Sequence, residues 1–268
     1  MKLLNPITPS NRHRSILIKK DIEKSKPIKG LIIGIHKKSG HNNQGKITIY
    51  NRGGGHKRNY RKIDLKRSLI NIEAIVLRIE YDPNRSANIA LICYKNGILS
   101  YIIAPNDIKI GDIIQSGIKI QSKLGNSIII KNIMIGTIIH NIELVPGKGG
   151  KIARAAGTYA LLINKYKNGF AMLRLSSGEI RMVSVLCMAT IGVVSNIKYN
   201  NIIHGKAGAL RWLNRKPCVR GVAMNPVDHP HGGRTKGGRP SVTPWGRITK
   251  GMRTVIKKNK LILNRRSK

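Results

Sequence analysis

The stretch Asn88-Ile89-Ala90-Leu91-Ile92-Cys93-Tyr94-Lys95-Asn96-Gly97-Ile98-Leu99-Ser100-Tyr101-Ile102-Ile103-Ala104 decides the fold class. Two runs rich in β-branched and aromatic residues flank Lys95-Asn96-Gly97. Asn-Gly supplies the positive φ that a tight hairpin turn demands, so the stretch reads as two antiparallel strands. Upstream, 74–81 is strand-like and closes on the turn Asp82-Pro83-Asn84-Arg85-Ser86. Downstream, Pro105-Asn106-Asp107 ends the run and Gly111-Asp112 opens another short strand. Short strands joined by tight turns predict a small barrel over 63–120.

Further along, 121–198 repeats the style. Strands are expected at 127–130, 137–144, 159–164, 170–175 and 180–183, with turns at Asn168-Gly169 and Ser177-Gly178. These predict a second small barrel. Between its second and third strands lies the insert Pro146-Gly147-Lys148-Gly149-Gly150-Lys151-Ile152-Ala153-Arg154-Ala155-Ala156-Gly157. A nucleotide-hydrolysing P-loop needs Gly-x-x-x-x-Gly-Lys followed by Ser or Thr. Here Ile152 follows Lys151 and Val145 stands where the first Gly belongs, so the insert reads as a Gly/Lys loop that touches a phosphate backbone.

Charge names the class of partner. The 268 residues carry 50 Lys+Arg against 11 Asp+Glu, a formal net charge of +39. Such self-repulsion opposes compaction and is relieved by a polyanion, with nucleic acid ahead of an anionic membrane. The excess is +14 over 1–62, +9 over 63–198 and +16 over 199–268. A milder middle between two basic arms predicts a globular core with polyanion-binding extensions. No apolar run approaches the roughly 18–20 residues that span a bilayer. Neither a secretory signal nor a transit peptide is expected from the first residues. Cys93, Cys187 and Cys218 form neither a disulfide framework nor a zinc pattern, which suits a reducing compartment.

In the N-terminal part, 1–40 is expected to be an extended arm with one short strand or turn. A strand-like Lys46-Ile47-Thr48-Ile49-Tyr50 leads into Asn51-Arg52-Gly53-Gly54-Gly55-His56-Lys57-Arg58-Asn59-Tyr60-Arg61-Lys62. Three glycines permit close backbone approach and can form anion-binding nests, and six cationic or imidazole side chains crowd around them. Beyond 199, hydrophobic periodicity fades. Lys206 to Leu213 reads as a helical turn in which Trp212 anchors the arm by packing, with base stacking as the lesser alternative. The segment 219–251 has six Lys or Arg and only Asp228 as an acid, with too little apolar content to fold without a partner. The tail from Lys257 to Lys268 is expected to be disordered when free.

Asp228-His229-Pro230-His231 is the one constellation that invites catalysis or metal binding. Adjacent Asp and His diverge along an extended chain, Pro230 restricts His229, and no third ligand lies nearby in sequence. The reading therefore assigns no catalytic residue and no metal site. The imidazoles are expected instead to contact phosphate, 2′-OH or base.

Asn225-Pro226-Val227-Asp228-His229-Pro230-His231-Gly232-Gly233 with Pro244-Trp245-Gly246 resembles the signature of the large-subunit ribosomal protein family conventionally numbered two. Arg52 to Arg58 with Tyr60-Arg61, Ile79 to Ala87, Tyr101 to Pro105, His140 to Leu144 with Pro146 to Gly150, and the ending Arg265-Arg266-Ser267-Lys268 match in the same order. The resemblance implies a mainly β chain: an OB-fold-like barrel, then an SH3-like barrel, with long basic N- and C-terminal extensions. The division expected is 1–40 extension, 41–120 OB-fold-like RNA-binding barrel, 121–198 SH3-like barrel and 199–268 extension. It implies a primary rRNA binder that supports subunit association, tRNA binding and peptide bond formation, with no enzymatic role. A part in peptidyl transfer, attached to the histidine matching His229, is disputed for the family, and the residues here favour support over chemistry.

The residues expected at RNA are Arg52, His56, Lys57, Arg58, Arg61, Lys62, Arg85, Lys148, Lys151, Arg154, Arg211, Arg220, His229, His231, Arg234, Lys236, Arg239, Arg247 and Lys250. Implied partners are large-subunit rRNA, small-subunit rRNA across an intersubunit bridge, and neighbouring ribosomal proteins, with no membrane and no homo-oligomer. No cofactor is expected, Mg2+ serving only as an rRNA counterion. Ala156-Gly157-Thr158-Tyr159, Cys187 to Gly192 and Val194-Ser195-Asn196 are similar to the alphaproteobacterial and mitochondrial branch. Abundant Ile, Asn and Lys suggest AT-rich coding, so the expected place is the mitochondrial matrix, on an organelle-encoded chain, ahead of a plastid or a bacterial cytoplasm. One departure stands out. The family runs through Gly-Glu-Gly after His-Pro-His-Gly-Gly, whereas Gly233 here meets Arg234 directly.

Overall fold

The computed structural model describes residues 1–18, 22–23, 25–233, 239–250 and 259–265. Seventeen short strands occur among them: β1 (Lys2–Leu3), β2 (Ser15–Ile16), β3 (Ile32–Ile35), β4 (Arg58–Arg61), β5 (Glu73–Glu80), β6 (Ile89–Tyr94), β7 (Leu99–Ile103), β8 (Ile113–Gly117), β9 (Ser127–Ile129), β10 (Ile138–His140), β11 (Ile142–Glu143), β12 (Gly150–Ile152), β13 (Ala160–Lys165), β14 (Phe170–Leu175), β15 (Ile180–Ser184), β16 (Met188–Ile191) and β17 (Ile262–Asn264). Eleven of them join in one sheet of order β17-β15-β14-β13-β10-β16-β9-β8-β5-β6-β7. The chain is mainly β, as its turn chemistry requires, with an OB-fold-like set of strands followed by an SH3-like set.

The β6–β7 hairpin turns at Asn96-Gly97, where Gly97 has φ +81° and its N–H donates to the Tyr94 carbonyl at 2.8 Å. Its partner β5 alternates as a half-buried strand should, with Ala74 and Val76 buried and Ile75 and Leu77 exposed. Ala74 and Val76 pack with Ile92, Ile102 and Ile114 into the first core. The second core is built from Ile128, Ile130, Ile133, Ile139, Leu162 and Leu173 on the β9–β16 strands and their connections. Each such buried aliphatic side chain contributes about 1.5–3 kcal/mol relative to exposure.

The two cores share a seam. Strands β8 and β9 pair in parallel, Ser116 opposite Ser127 and Gly117 opposite Ile128. Buried Arg67 donates from Nε to Ser116 Oγ at 2.9 Å. The N-terminal arm is tied to the first barrel by Tyr101, whose hydroxyl donates to Glu80 at 3.0 Å and accepts from the Ile28 N–H at 3.2 Å. At the start of the chain, Ser15 Oγ donates to the Asn201 carbonyl at 3.0 Å and accepts from the Ile203 N–H at 2.9 Å.

Several sequence expectations change. The expected strand 137–144 breaks at Asn141, which takes φ +48°, into β10 and β11. The insert 146–157 contains β12, paired with β11. Strand β16 is a strand that periodicity did not reveal, because both of its faces are covered and its buried residues run consecutively (Ala189, Thr190 and Ile191). Residues 46–50 are not a strand: Ile47 only bridges back to His41. The tail is not wholly without structure, since β17 pairs with β15 and the Met182 N–H donates to the Leu261 carbonyl at 2.7 Å. Residues 257, 258 and 266–268 of that expectation lie outside the described residues.

Two compact units divide the chain. The barrels fall in the first: Met1–His36, Lys57–Gly205 and Lys260–Lys268. The second joins Lys37–His56 to Lys206–Asn259, so residues 41–56 associate with the C-terminal segment rather than following the sequence order. The Gly53 N–H donates to the Asn214 carbonyl, and the Lys216 N–H to the Asn51 carbonyl, both at 2.9 Å. A Cβ at Gly55 would collide with the Asn214 side chain, and Gly55 has φ +61°. Glycine is therefore what lets these two segments close on each other. In the same unit α1 is a single turn, Ala209–Trp212, as expected, but Trp212 is 58% exposed with Lys206 Nζ 4.8 Å from its ring centroid. It is not a buried anchor. Among the described residues, no helix is long and apolar enough to cross a membrane.

Candidate nucleic-acid interface

In the barrel unit, loops distant in sequence bring expected residues together. Arg58 on β4 donates to the Pro83 carbonyl at 2.7 Å, and Asn84 Nδ2 donates to the Asn59 carbonyl at 2.7 Å. The same turn reaches the insert, where the Ala156 N–H donates to Ser86 Oγ at 3.1 Å. Arg58, Arg61, Arg85 and Arg154 thus belong to one cluster of touching segments. Within it Arg85 Nε donates to Asp82 at 2.6 Å and its guanidinium lies 5.8 Å from the Tyr60 ring centroid. Arg58 and Arg85 therefore brace the turn, while Arg154 is exposed.

The Gly/Lys loop is organised from inside. Glu143 is buried, and its carboxylate accepts from the N–H groups of Gly147 at 3.1 Å, Gly149 at 2.7 Å and Met188 at 3.0 Å. Two amides that a nest would offer to an external anion are already committed to this internal one. What the loop presents outward is Lys148 and Lys151, both exposed. The loop also seats against the first barrel: the Gly150 N–H donates to the Leu65 carbonyl at 2.9 Å, and a Cβ at Gly149 would meet Lys66 Cγ at 3.1 Å. Exposed Lys62 and Lys66 lie on that same segment; Lys66 escaped the sequence reading because it sits outside any glycine-rich motif.

Other buried groups serve the scaffold. His140 donates from Nδ1 to the Gly192 carbonyl at 2.9 Å, and burial, with Arg67 adding to it, lowers its pKa to about 4. The ring is therefore neutral at physiological pH. Burial, reinforced by the Glu143 charge, pushes the Cys187 thiol up to about 11, which keeps it protonated and inert.

In the second unit, Arg52, His56, Arg211, Arg220, Arg239, Arg247 and Lys250 are exposed. The basic run 52–62 is thus split between units, with Lys57 and Lys62 exposed on the other. His229 is only 8% exposed, and its Nδ1 accepts from the His231 N–H at 3.0 Å. That places the neutral ring's proton on Nε2. A Cβ at Gly221 would lie 2.6 Å from the ring, so a glycine there is what admits the histidine. His231 lies beside it, ring centroids 4.7 Å apart, and its Nε2 sits between the Pro240 carbonyl at 3.0 Å and the Val242 N–H at 3.1 Å, donating to the first in one tautomer and accepting from the second in the other. Arg239 donates to the Pro230 carbonyl at 2.8 Å. Asp228 is exposed, and no hydrogen bond joins it to the His229 ring among the described residues. The arrangement lacks the Asp-to-Nδ1 contact that orients a catalytic imidazole. The segment expected to need a partner for any shape is locally folded through these contacts. Arg234 and Lys236, and the shortened loop after Gly233, lie outside the described residues. Among the described residues, no group of three His, Cys, Asp or Glu is placed to hold a metal ion.

Comparisons with known proteins give this surface its context. The family model described as the RNA-binding N-terminal domain of ribosomal proteins L2 matches residues 28–116, and that of their C-terminal domain matches 123–246. The chain belongs to the L2 family of large-subunit ribosomal proteins. Large ribosomal subunit protein uL2m of Reclinomonas americana is 54% identical over 273 residues, covering 100% of this chain and 99% of that protein. Large ribosomal subunit protein uL2 of Rhodospirillum centenum is 52% identical over 100% of this chain and 99% of its own length. That of Orientia tsutsugamushi is 53% identical over 97% and 95%. As an L2-family member the chain is an RNA-binding ribosomal protein of the large subunit, with a structural role in translation and rRNA and other ribosomal proteins as its partners. The boundary between the two family matches falls at the β8–β9 seam, where this L2-family chain passes from one core to the next.

Proposed function

We propose that this L2-family chain is a primary, non-catalytic rRNA binder of a mitochondrial large subunit, organelle-encoded, that supports subunit association, tRNA binding and peptide bond formation. The observation that carries the reading is the one-sided use of charge. Glu80, Asp82 and Glu143 are buried and spent on internal contacts, whereas Lys62, Lys148, Lys151, Arg154, Arg211, Arg220, Arg247 and Lys250 are exposed without a carboxylate partner among the described residues. Cations without a carboxylate partner, four on the barrel unit and four on the second unit, are the apparatus for neutralising phosphate. The Arg52, His56, Lys57, Arg58, Arg61, Arg85, Arg234, Lys236 and Arg239 side chains complete the set, with Arg58 and Arg85 acting mainly by holding shape. His229 and His231 support the loop rather than chemistry, since the His229 Nδ1 is occupied by a backbone N–H. Small-subunit rRNA across an intersubunit bridge and neighbouring ribosomal proteins are the remaining partners. The chain works as a single copy, off the membrane, without a cofactor, Mg2+ being a counterion of the rRNA. The mitochondrial assignment rests on the uL2m relative and on the Ile/Asn/Lys-rich composition.

Sedimentation tests this directly. The chain should co-sediment with mitochondrial large subunits through a moderate salt wash, and isolated binding to rRNA should weaken steeply with salt. Its recovery only in free or membrane fractions would overturn the reading. A His229→Ala chain that assembled normally yet abolished peptide bond formation would transfer the site to the catalytic class.

A further inference from the structure

Two turns of the second unit are copies of one another in hydrogen bonding, although they lie some two hundred residues apart. In Gly40-His41-Asn42-Asn43-Gln44-Gly45-Lys46-Ile47-Thr48, His41 bridges Ile47, the Asn42 N–H donates to the Lys46 carbonyl at 2.9 Å, and the Gly45 N–H to the Asn42 carbonyl at 3.2 Å. In Ser241-Val242-Thr243-Pro244-Trp245-Gly246-Arg247-Ile248-Thr249, Val242 bridges Ile248, the Thr243 N–H donates to the Arg247 carbonyl at 2.8 Å, and the Gly246 N–H to the Thr243 carbonyl at 2.9 Å. The side chains repeat as well. Asn42 Oδ1 accepts from the Lys46 N–H at 3.0 Å where Thr243 Oγ1 accepts from the Arg247 N–H at 3.1 Å. Thr48 Oγ1 donates to the Gly40 carbonyl at 3.2 Å where Thr249 Oγ1 donates to the Ser241 carbonyl at 3.0 Å. Gly45 and Gly246 take φ +79° and +80°.

The turns meet through their aromatics. The Tyr50 and Trp245 ring centroids are 6.1 Å apart at an interplanar angle of 36°, and the rings are 57% and 69% exposed. Tilted and open, they do not stack on each other, and so much aromatic surface left in water is unfavourable unless something covers it. No acid occurs in 40–50 or 241–250, while Lys46 and Arg247 occupy equivalent positions and both are exposed. The covering partner therefore carries a flat π-face together with negative charge. A duplex keeps its bases stacked away from such rings, whereas an unpaired nucleotide presents both features.

We propose that the paired turns form a clamp for an unpaired RNA nucleotide, Tyr50 and Trp245 stacking its base while Lys46 and Arg247 take flanking phosphates. The clamp rests on the rRNA-binding reading and narrows it to one kind of RNA element.

The chain has two tryptophans, so the full-length Trp212→Phe variant leaves Trp245 as the only indole. Titrated with a large-subunit rRNA fragment rich in unpaired loops, its emission should be quenched on binding, and an equal-length perfect duplex RNA should bind without that quench. Trp245→Ala should weaken loop-RNA binding about tenfold while leaving the slope of log affinity against log salt unchanged. Trp245→Phe should retain most of the affinity. Arg247→Gln should reduce the slope by about one. Tight loop-RNA binding without quench, or Trp245→Ala binding as well as the parent, would overturn the clamp while leaving the rRNA reading intact. Failure of the parent chain to bind rRNA at all would remove the wider reading with it.

Discussion

Replacing Glu143 tests how the Gly/Lys loop is built. The carboxylate accepts three backbone N–H groups, from Gly147, Gly149 and Met188, in a site where Glu143 itself is 2% exposed. Hydrogen bonds to a charged acceptor contribute about 1.5–3 kcal/mol each, and a buried donor left unpaired costs about 1–3 kcal/mol. In Glu143→Ala the exposed Gly147 amide rehydrates, but those of buried Gly149 and half-buried Met188 lose their acceptor. The expected destabilisation is about 4 kcal/mol. Glu143→Gln keeps the shape and one acceptor oxygen, yet turns an NH2 toward donors, so about 2 kcal/mol is expected. For a chain of this size the alanine variant should melt on the order of 10 °C lower. Thermal denaturation followed by far-UV circular dichroism reads the first effect, and amide exchange at Gly149 and Met188 reads the second. A glutamine variant that melted within about 1 °C of the parent, with unchanged protection at both amides, would refute the internal-anchor account. The loop would then be free to offer its N–H groups outward.

Acidification should weaken the fold through His140. Its folded pKa of about 4 lies below the ordinary 6.5, so the unfolded chain binds the extra proton first. Stability is fully present above pH 6.5 and falls as pH drops toward 4, by about 3 kcal/mol for this group. A His140→Gln variant should show a shallower decline over that window in urea unfolding, and an identical decline would contradict the assignment. At Gly232 an added Cβ would meet the Asn225 carbonyl and the Pro226 nitrogen, backbone atoms that cannot rotate aside. Gly232→Ala should therefore speed amide exchange at Gly232 and Gly233 about tenfold or more, as expected for a loss above 1.4 kcal/mol. Gly208→Ala, whose Cβ meets nothing within 4 Å, should leave it unchanged. Deleting 260–268 removes β17 and the Leu261 acceptor, so the Met182 amide should lose protection and the bared edge of β15 should promote association, read by light scattering. Retained protection at Met182 would show that the terminal strand contributes nothing there.

Local chemistry made part of this protein legible from its residues alone. Asn96-Gly97, Asn168-Gly169 and Ser177-Gly178 each mark a hairpin whose glycine takes positive φ, and the flanking strands lie within a residue or two of their expected limits. Turn identity depends on two adjacent residues, and strand identity on alternation over a few more, so both survive outside their tertiary context. Strand β16 did not, because the surroundings that bury three successive residues come from β9 and β10. The candidate site divides in the same way. The abundance and placement of cations were readable, but Arg58 and Arg85 look identical in sequence to Arg154, and only their contacts with Pro83 and Asp82 separate the braces from the exposed group.

Sequence alone determined the mainly β class, the two cores, the rejection of a P-loop and the polyanionic partner, since composition, charge and short-range periodicity are properties of the chain itself. Tertiary structure decided the parallel β8–β9 seam, the association of 37–56 with 206–259, the internal use of Glu143, the burial of His229 against Gly221, and the duplicated turns that bring Tyr50 to Trp245. Each depends on groups many residues apart meeting at hydrogen-bond or van der Waals distance. No local pattern encodes such meetings, because they are fixed by how the whole chain satisfies its buried polar groups and fills its cores.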